Sequence, residues 1–385
     1  MTSFPYLIFI FCYILLALVD LRYGQDADVR KKVRYGCIAL FLFFIGLRGF
    51  IGTDWYSYYY IFGKTPRIFE GIADYALTDR SFEPGYLFYS SFFKTIIPDY
   101  HFFVFASALI DVLILDFFLR KYVSYYALGF LVFFVFEGLG LSDLLRNVRG
   151  LTFFLLSLPY LEQRKPLPYF SLNLFGLLFH ASSILYLPLY FVLHKAWPRK
   201  MLIAIFILGN LFFFAHAGIV KPIIMTVTDL LGGKYTLLAE NYLEGVFGEV
   251  SKGLSIGYLE RIFTCLLVIV FYNKLIGLRA SNRLFINLYM LYFASYFFFA
   301  DVAVIAIRLA LLFICSYWVL WPALYQVMII QSNRRLFLAF IFVFALLKIN
   351  GITHGPLWRY DNLLWGVQSY DERSEIFREN LTLPE

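Results

Sequence analysis

Arg146 and Arg149 stand three residues apart in LSDLLRNVRGLTFFLLSL, at the head of an apolar run. That spacing puts two guanidinium forks on one helix face, and at a helix start such forks hold phosphate or pyrophosphate through paired, charge-assisted bonds. The pair would equally serve to balance Asp143 and Glu137 just upstream. Arg308 lies about a turn and a half inside ADVAVIAIRLALLFICSYW, where ionisable groups are costly and usually face a bundle interior or polar cavity. It either binds an anion or snorkels, with Asp301 as a neighbour to partner it. His180, in LNLFGLLFHASSILYLPLY, is either a core histidine satisfied by a carbonyl or serine, or a pocket donor or base beside small residues. It has no Cys, Asp or Glu at ligand spacing, so neither a metal nor any other cofactor is expected.

Carboxylates and rings gather between residues 49 and 83. Asp54 in GTDWYSYY and Glu83 in FEPGY mark the two ends of that stretch. Pro84 suits a first helical turn, with Glu83 beside the positive helix end. Carboxylates set against aromatic planes suit sugars, accepting from hydroxyls while rings cover the apolar sugar faces; Glu70 and Asp74 read as ordinary loop solvation. Arg48, just before the loop, is either a substrate contact or a salt-bridge partner that locks Asp54. Near the other end, INGITHGPLWRYDNLLWG returns His354, Arg359 and Asp361 among Trp358, Tyr360 and Trp365, which as a set also fits an interfacial aromatic belt.

These groups need elements that hold them in an apolar setting. The 385-residue chain is 61% hydrophobic and 15% charged, with a mean hydropathy of +0.72, which leaves too little polar surface for a water-soluble domain. Apolar runs of about 15 to 25 residues recur, long enough to cross a hydrocarbon core of about 30 Å. The alternation of a membrane barrel is absent. The expected fold is an all-α polytopic membrane protein with about 12 transmembrane helices (about 11–13). It reads as a single helical domain over 1–370, with external loops near 49–83 and 218–255, and a short polar tail at 371–385. The first run, PYLIFIFCYILLALV, lacks a positive leader and cleavage site and reads as a retained helix.

Arg22, Arg30, Lys31, Lys32 and Arg34 put the 22–34 loop in the cytoplasm, and 195–200, 274–283 and 331–335 follow. Loops of this kind account for the net charge of +7 without invoking nucleic acid. Five simple crossings between 84 and 193 would leave Arg120-Lys121 and Arg164-Lys165 outside. Making 84–98 re-entrant and breaking 168–193 near His180 into two short passes puts both pairs inside, a break tolerated where it lines a cavity. The four cysteines lie in apolar runs without ligand spacing.

One external layer then holds arginines beneath a carboxylate-rich aromatic loop, which suits an anionic, membrane-anchored sugar. The motifs resemble the EpsG-type branch of the bacterial polysaccharide polymerases, the Wzy-like proteins. Arg48, Gly52, Thr53, Asp54, Tyr58 and Tyr59 match the opening pattern, and Glu83-Pro84-Gly85-Tyr86 the next. Arg146, Asn147 and Gly150 align with an Arg-Gln-x-x-Ala element, Asn standing for Gln and Gly for Ala. His180 and Ser182 match His-x-Ser, Arg308 a late intramembrane arginine, and Tyr360, Asp361 and Asn362 a terminal Tyr-x-Asn element.

The resemblance implies a GT-C-like polymerase or ligase architecture in the bacterial cytoplasmic membrane, with the active site facing outward. It implies transfer of one polyprenyl-pyrophosphate-linked oligosaccharide onto another to build capsule or O-antigen, releasing polyprenyl pyrophosphate, with a chain-length regulator as a protein partner. Arg146 and Arg308 would hold the pyrophosphate, Arg149 assisting, while His180 and Asp54 orient or deprotonate the acceptor. Arg48, Glu83, Tyr58, Arg359 and Asp361 would bind substrate. The rival readings are a lipid-linked glycan ligase or other polyprenyl-phosphate-sugar glycosyltransferase, a membrane O-acyltransferase, and a transporter or flippase.

Overall fold

The computed structural model describes residues 2–78, 82–215, 220–232 and 254–380. All the regular structure there is helical, and the chain falls into two compact units, one of Met1–Val192 with Ile330–Glu385, the other of Leu193–Ile329.

In the first unit, α1 (Phe4–Tyr23) has Pro5 in its first turn, where a missing N–H is no loss. α2 (Ala27–Phe41) is capped by Asp26, which accepts from the N–H groups of Asp28 and Val29, and it widens into a π-turn over Leu42–Gly46. The loop expected at 49–83 contains α3 (Trp55–Lys64) and α4 (Ile72–Thr78). α5 (Pro84–Ile96) again has proline in its first turn, and α6 (Tyr100–Tyr122) is capped by Asp99. α7 (Tyr126–Asp143) bends where Phe136 and Glu137 leave helical geometry. α8 (Leu145–Glu162) and α9 (Pro166–Leu177) precede a 3₁₀ turn, Ala181–Tyr186, and α10 (Leu189–Val192).

Side-chain bonds fix which ends of these helices meet. Asp116, near the end of α6, accepts from Arg34 of α2, from Arg120 and from Tyr126 at the start of α7. At the same end Glu162, closing α8, accepts from Tyr122 and pairs with Lys121. α6 and α8 therefore run parallel, with α7 returning between them. The run 168–193, expected to break near His180, leaves helical geometry after Leu177, and His180 is extended. The Ala181 N–H reaches Glu83, beside the head of α8, while the Tyr190 carbonyl accepts from Arg164 at its foot. The chain from 166 to 192 thus rises to the head of α8 and comes back.

The second unit contains α11 (Arg199–Ala215), α12 (Val220–Leu231), α13 (Ile256–Val270), α14 (Tyr272–Leu278), α15 (Asn282–Phe298), α16 (Ala303–Leu311) and α17 (Cys315–Val327). α15 is its core, buried along nearly its whole length. Most of the loop expected at 218–255 lies outside the described residues. The chain returns to the first unit through α18 (Gln331–Thr353), and the described residues close with α19 (Tyr370–Asn380).

α1, α6, α7 and α18 are each long and apolar enough to cross a membrane, and the total reaches six if the bent pairs α13–α14 (71°) and α16–α17 (64°) each count as one span. The protein is an all-α, largely apolar, multi-helix chain with four to six candidate spans among its described residues. α8 falls short of this standard because Arg146, Arg149 and Glu162 interrupt its apolar character, and the half of α2 that precedes Tyr35 is charged.

Candidate functional site

The site is built on a helix that ends badly. The π-turn after α2 frees main-chain carbonyls, and buried orphan carbonyls need partners. Asn362 donates to the Phe43 carbonyl at 2.9 Å, Tyr360 to that of Phe44 at 3.0 Å, and Arg48 to that of Ile45. The other end of the Arg48 fork donates to the Ser142 carbonyl at the end of α7. The Gly49 N–H reaches the Asp361 carbonyl and the Leu363 N–H that of Leu47, so the two segments pair briefly. Arg48 and Asn362 are thus joined through the main chain, and the Arg48 guanidinium serves carbonyls.

Asp143 caps the loop that follows. Its carboxylate accepts from the Thr53 N–H at 2.7 Å and the Asp54 N–H at 3.2 Å, supplying a charge to the first turn of α3 from another helix. Gly52, at φ +83°, lets the chain turn there, and a Cβ at that position would strike the Asp143 carboxylate. The cap holds Asp54 beside Tyr58, whose hydroxyl donates to Asp54 at 3.4 Å and accepts from the Arg146 N–H. Burial, reinforced by the Asp54 charge, pushes the Tyr58 hydroxyl far above its usual range, so it stays protonated and able to donate.

Arg146 is the hub. Its Nη1 donates to Glu83 at 2.9 Å, and its guanidinium lies 3.9 Å from the centre of the Phe82 ring. The other Glu83 oxygen accepts from the Ala181 N–H at 3.2 Å, which ties the arginine to the His180 turn. Close backbone contact makes this possible. The Gly85 N–H reaches the Leu178 carbonyl, where a Cβ would come within 2.7 Å, and a Cβ at Gly150 would sit 2.5 Å from Ser183 Oγ. His180 Nδ1 accepts from the Ser182 N–H and lies 2.7 Å from its hydroxyl. An accepting Nδ1 places the proton of the neutral ring on Nε2. Asp54, Tyr58, Arg146, Glu83 and the His180 turn therefore form one connected polar line.

Arg149 takes other partners despite its spacing. It pairs with Asp111 of α6, donates to the Ser107 carbonyl and lies over Tyr89, fully inside the bundle. Asp361 fixes its own turn by accepting from the Gln368 N–H at 2.8 Å, and burial raises its carboxyl above the usual range. Arg359 is exposed, and so is Arg308, which belongs to the second unit. Asp111, Asp143 and Phe82 complete the site without having announced themselves. Asp111 sits in an apolar run whose hydropathy hides one acid; in the sequence Asp143 offers itself as a counter-charge for the arginines; Phe82 is one aromatic among many. Among the described residues no His, Cys, Asp and Glu cluster has the geometry to hold a metal.

A model of the EpsG family matches residues 31–362, which include every member of the polar line. No curated protein and no solved structure matches the chain.

Proposed function

The chain belongs to the EpsG family, and from that premise we propose that it polymerises polyprenyl-pyrophosphate-linked oligosaccharide repeat units. Membership supports a role in polysaccharide-related glycan processing, and the polar line from Asp54 to His180 is the observation that carries the narrower reading. The acceptor hydroxyl attacks the anomeric carbon, whose bond to the pyrophosphate oxygen breaks with oxocarbenium character. The bonding pair leaves on the pyrophosphate, beside Arg146. Glu83 and Phe82 hold that guanidinium in one direction, so the charge it offers is preorganised where negative charge develops.

The acceptor proton passes to Asp54, which Tyr58 and the Asp143 cap keep in place. His180, with its ring proton on Nε2, acts as a donor to the donor sugar or phosphate, leaving Asp54 as the base. In this reading the chain makes about 12 crossings in a GT-C-like arrangement, with the line facing the outside of the cytoplasmic membrane.

The test is the size distribution of surface glycan in a strain lacking this gene, complemented with wild type or Arg146→Ala at matched membrane abundance. The expected result is a ladder reduced to single-repeat species, restored by wild type and not by Arg146→Ala, whose rate falls by about 10²–10³. An intact ladder in the deletion strain would sink the polymerase reading and favour a ligase, which makes one transfer per acceptor. Full restoration by Arg146→Ala would remove the arginine from the chemistry.

A further inference from the structure

α3 is held at both ends by charges that belong to other helices. Its ten residues are too few for a stable helix alone in water, and its own N-cap residue, Asp54, makes no capping bond. Asp143 supplies the charge at its head. At its tail the last carbonyls lack partners within the helix. That of Ile61 takes the Thr65 N–H and hydroxyl. Those of Phe62, Gly63 and Thr65 converge on one ammonium, Lys94 of α5, at 2.9, 2.7 and 2.7 Å. An ammonium has three donors, and all three are engaged on one helix end, where the macrodipole favours a cation. Lys64, the cation that α3 itself carries in its last turn, lies over the Tyr60 ring instead.

Ser91, Lys94 and Thr95 share one face of α5 by their spacing, and the other two grip the chain that leaves α3. The Ser91 hydroxyl donates to the Pro66 carbonyl at 2.7 Å, and that of Thr95 accepts from the Ile68 N–H at 2.9 Å. At the opposite end the Tyr58 ring lies 5.5 Å from both Phe82 and Tyr86. α3 and α5 therefore run parallel, tail on tail and head on head. Ring contacts at the heads tolerate sliding, whereas directional bonds at the tails do not. The heads carry Asp54 and Glu83, the second about 16 Å from Lys94 along α5. We propose that Lys94 is a positioning residue. By locking the tail of α3 onto α5 it sets the separation of Asp54 and Glu83, and through Glu83 the place of the Arg146 fork. Its bearing on the reaction rests on the polymerase reading; the lock between the two helices rests on the bonds themselves.

The experiment compares purified full-length wild type and Lys94→Met, which keeps the stem and removes the donors. Turnover is measured per folded molecule on lipid-linked repeat units extracted from the deletion strain. Nitroxide labels at the exposed positions of Tyr60→Cys on α3 and Phe88→Cys on α5 report the distance between the helices in the same two backgrounds. Lys94→Met is expected to lower kcat about tenfold or more with KM within about twofold, and to broaden the distance distribution. Unchanged kcat would overturn the positioning role and leave the lysine holding the fold alone. A lower kcat with an unchanged distribution would overturn the route through α3 and α5. If wild type turns over no repeat units, the polymerase reading falls, and the labels still decide the lock. Lys94→Gln keeps an amide donor on a shorter stem and covers the case in which Lys94→Met fails to fold. It should give a smaller loss of kcat in the same direction, and full turnover by the folded variant would count against the proposal.

Discussion

A methyl group at position 150 would sit 2.5 Å from Ser183 Oγ and 3.6 Å from His180 Cβ. The family pattern resembled here carries alanine at that position, and this chain replaces it with glycine beside a serine whose hydroxyl is buried without a partner. The glycine leaves room for the Ser183 hydroxyl. Gly150→Ala should push the His180 turn off α8 and destabilise the protein by about 1–3 kcal/mol, as overpacking does, with a shortened glycan ladder. Adding Ser183→Ala removes the offending oxygen together with a buried unsatisfied hydroxyl, and should recover most of both losses. Thermal unfolding in detergent and the ladder read out the pair; a neutral Gly150→Ala, or no recovery in the double variant, would show that the turn is not held by this contact. The glycine was legible in the sequence, but its reason was not, because Ser183 lies beyond the loop that brings it back.

At the scale of elements, the sequence marked both ends of the site without revealing that they support one another. The stretch between Arg34 and Arg48 is largely apolar, yet the π-turn at Leu42–Gly46 has no apolar signature, and that turn explains why Asn362 and Tyr360 are needed. Arg48 read as a partner for Asp54 or a substrate contact; its fork goes to the carbonyls of Ile45 and Ser142. The polar end of the chain is similar. Tyr370 stacks on Tyr59 at 4.4 Å and Phe377 on Tyr56 at 4.5 Å, while Arg373 donates to the carbonyls of Phe50 and Leu357, so α19 clasps α3. Asn362→Ala leaves the Phe43 carbonyl buried and unpaired and should cost about 1–3 kcal/mol. Arg359→Ala, three residues away and exposed, should stay within about 0.5 kcal/mol. Thermal shifts of the purified variants compare the two directly, and equal shifts would remove the Tyr-x-Asn element from the architecture.

For the molecule as a whole, the unresolved matter in the sequence was sidedness between 84 and 193, since simple crossings put two basic pairs on the wrong face. The contacts relate those pairs to the 22–34 loop. Arg34 and Arg120 share the Asp116 carboxylate, Lys121 pairs with Glu162, and Arg164 follows two residues later. The basic groups of three segments thus gather at the foot of α6 and α8, while Asp54, Glu83 and Arg146 gather at the head of α8, about 27 Å away along its 18 residues. With positive residues inside, the function proposed above requires the polar line to lie outside. Cysteines introduced singly at exposed positions test this in intact cells: Phe69→Cys, 90% exposed, in the loop before α5, and Arg30→Cys and Leu167→Cys, the latter 77% exposed, at the basic end. The native cysteines give little background, three being buried and Cys12 partly so. Membrane-impermeant thiol reagent should label position 69 directly and positions 30 and 167 only after permeabilisation. Labelling of 167 from outside, with 30 protected, would instead restore five simple crossings and separate Arg164 from the basic end to which the Glu162 pairing assigns it.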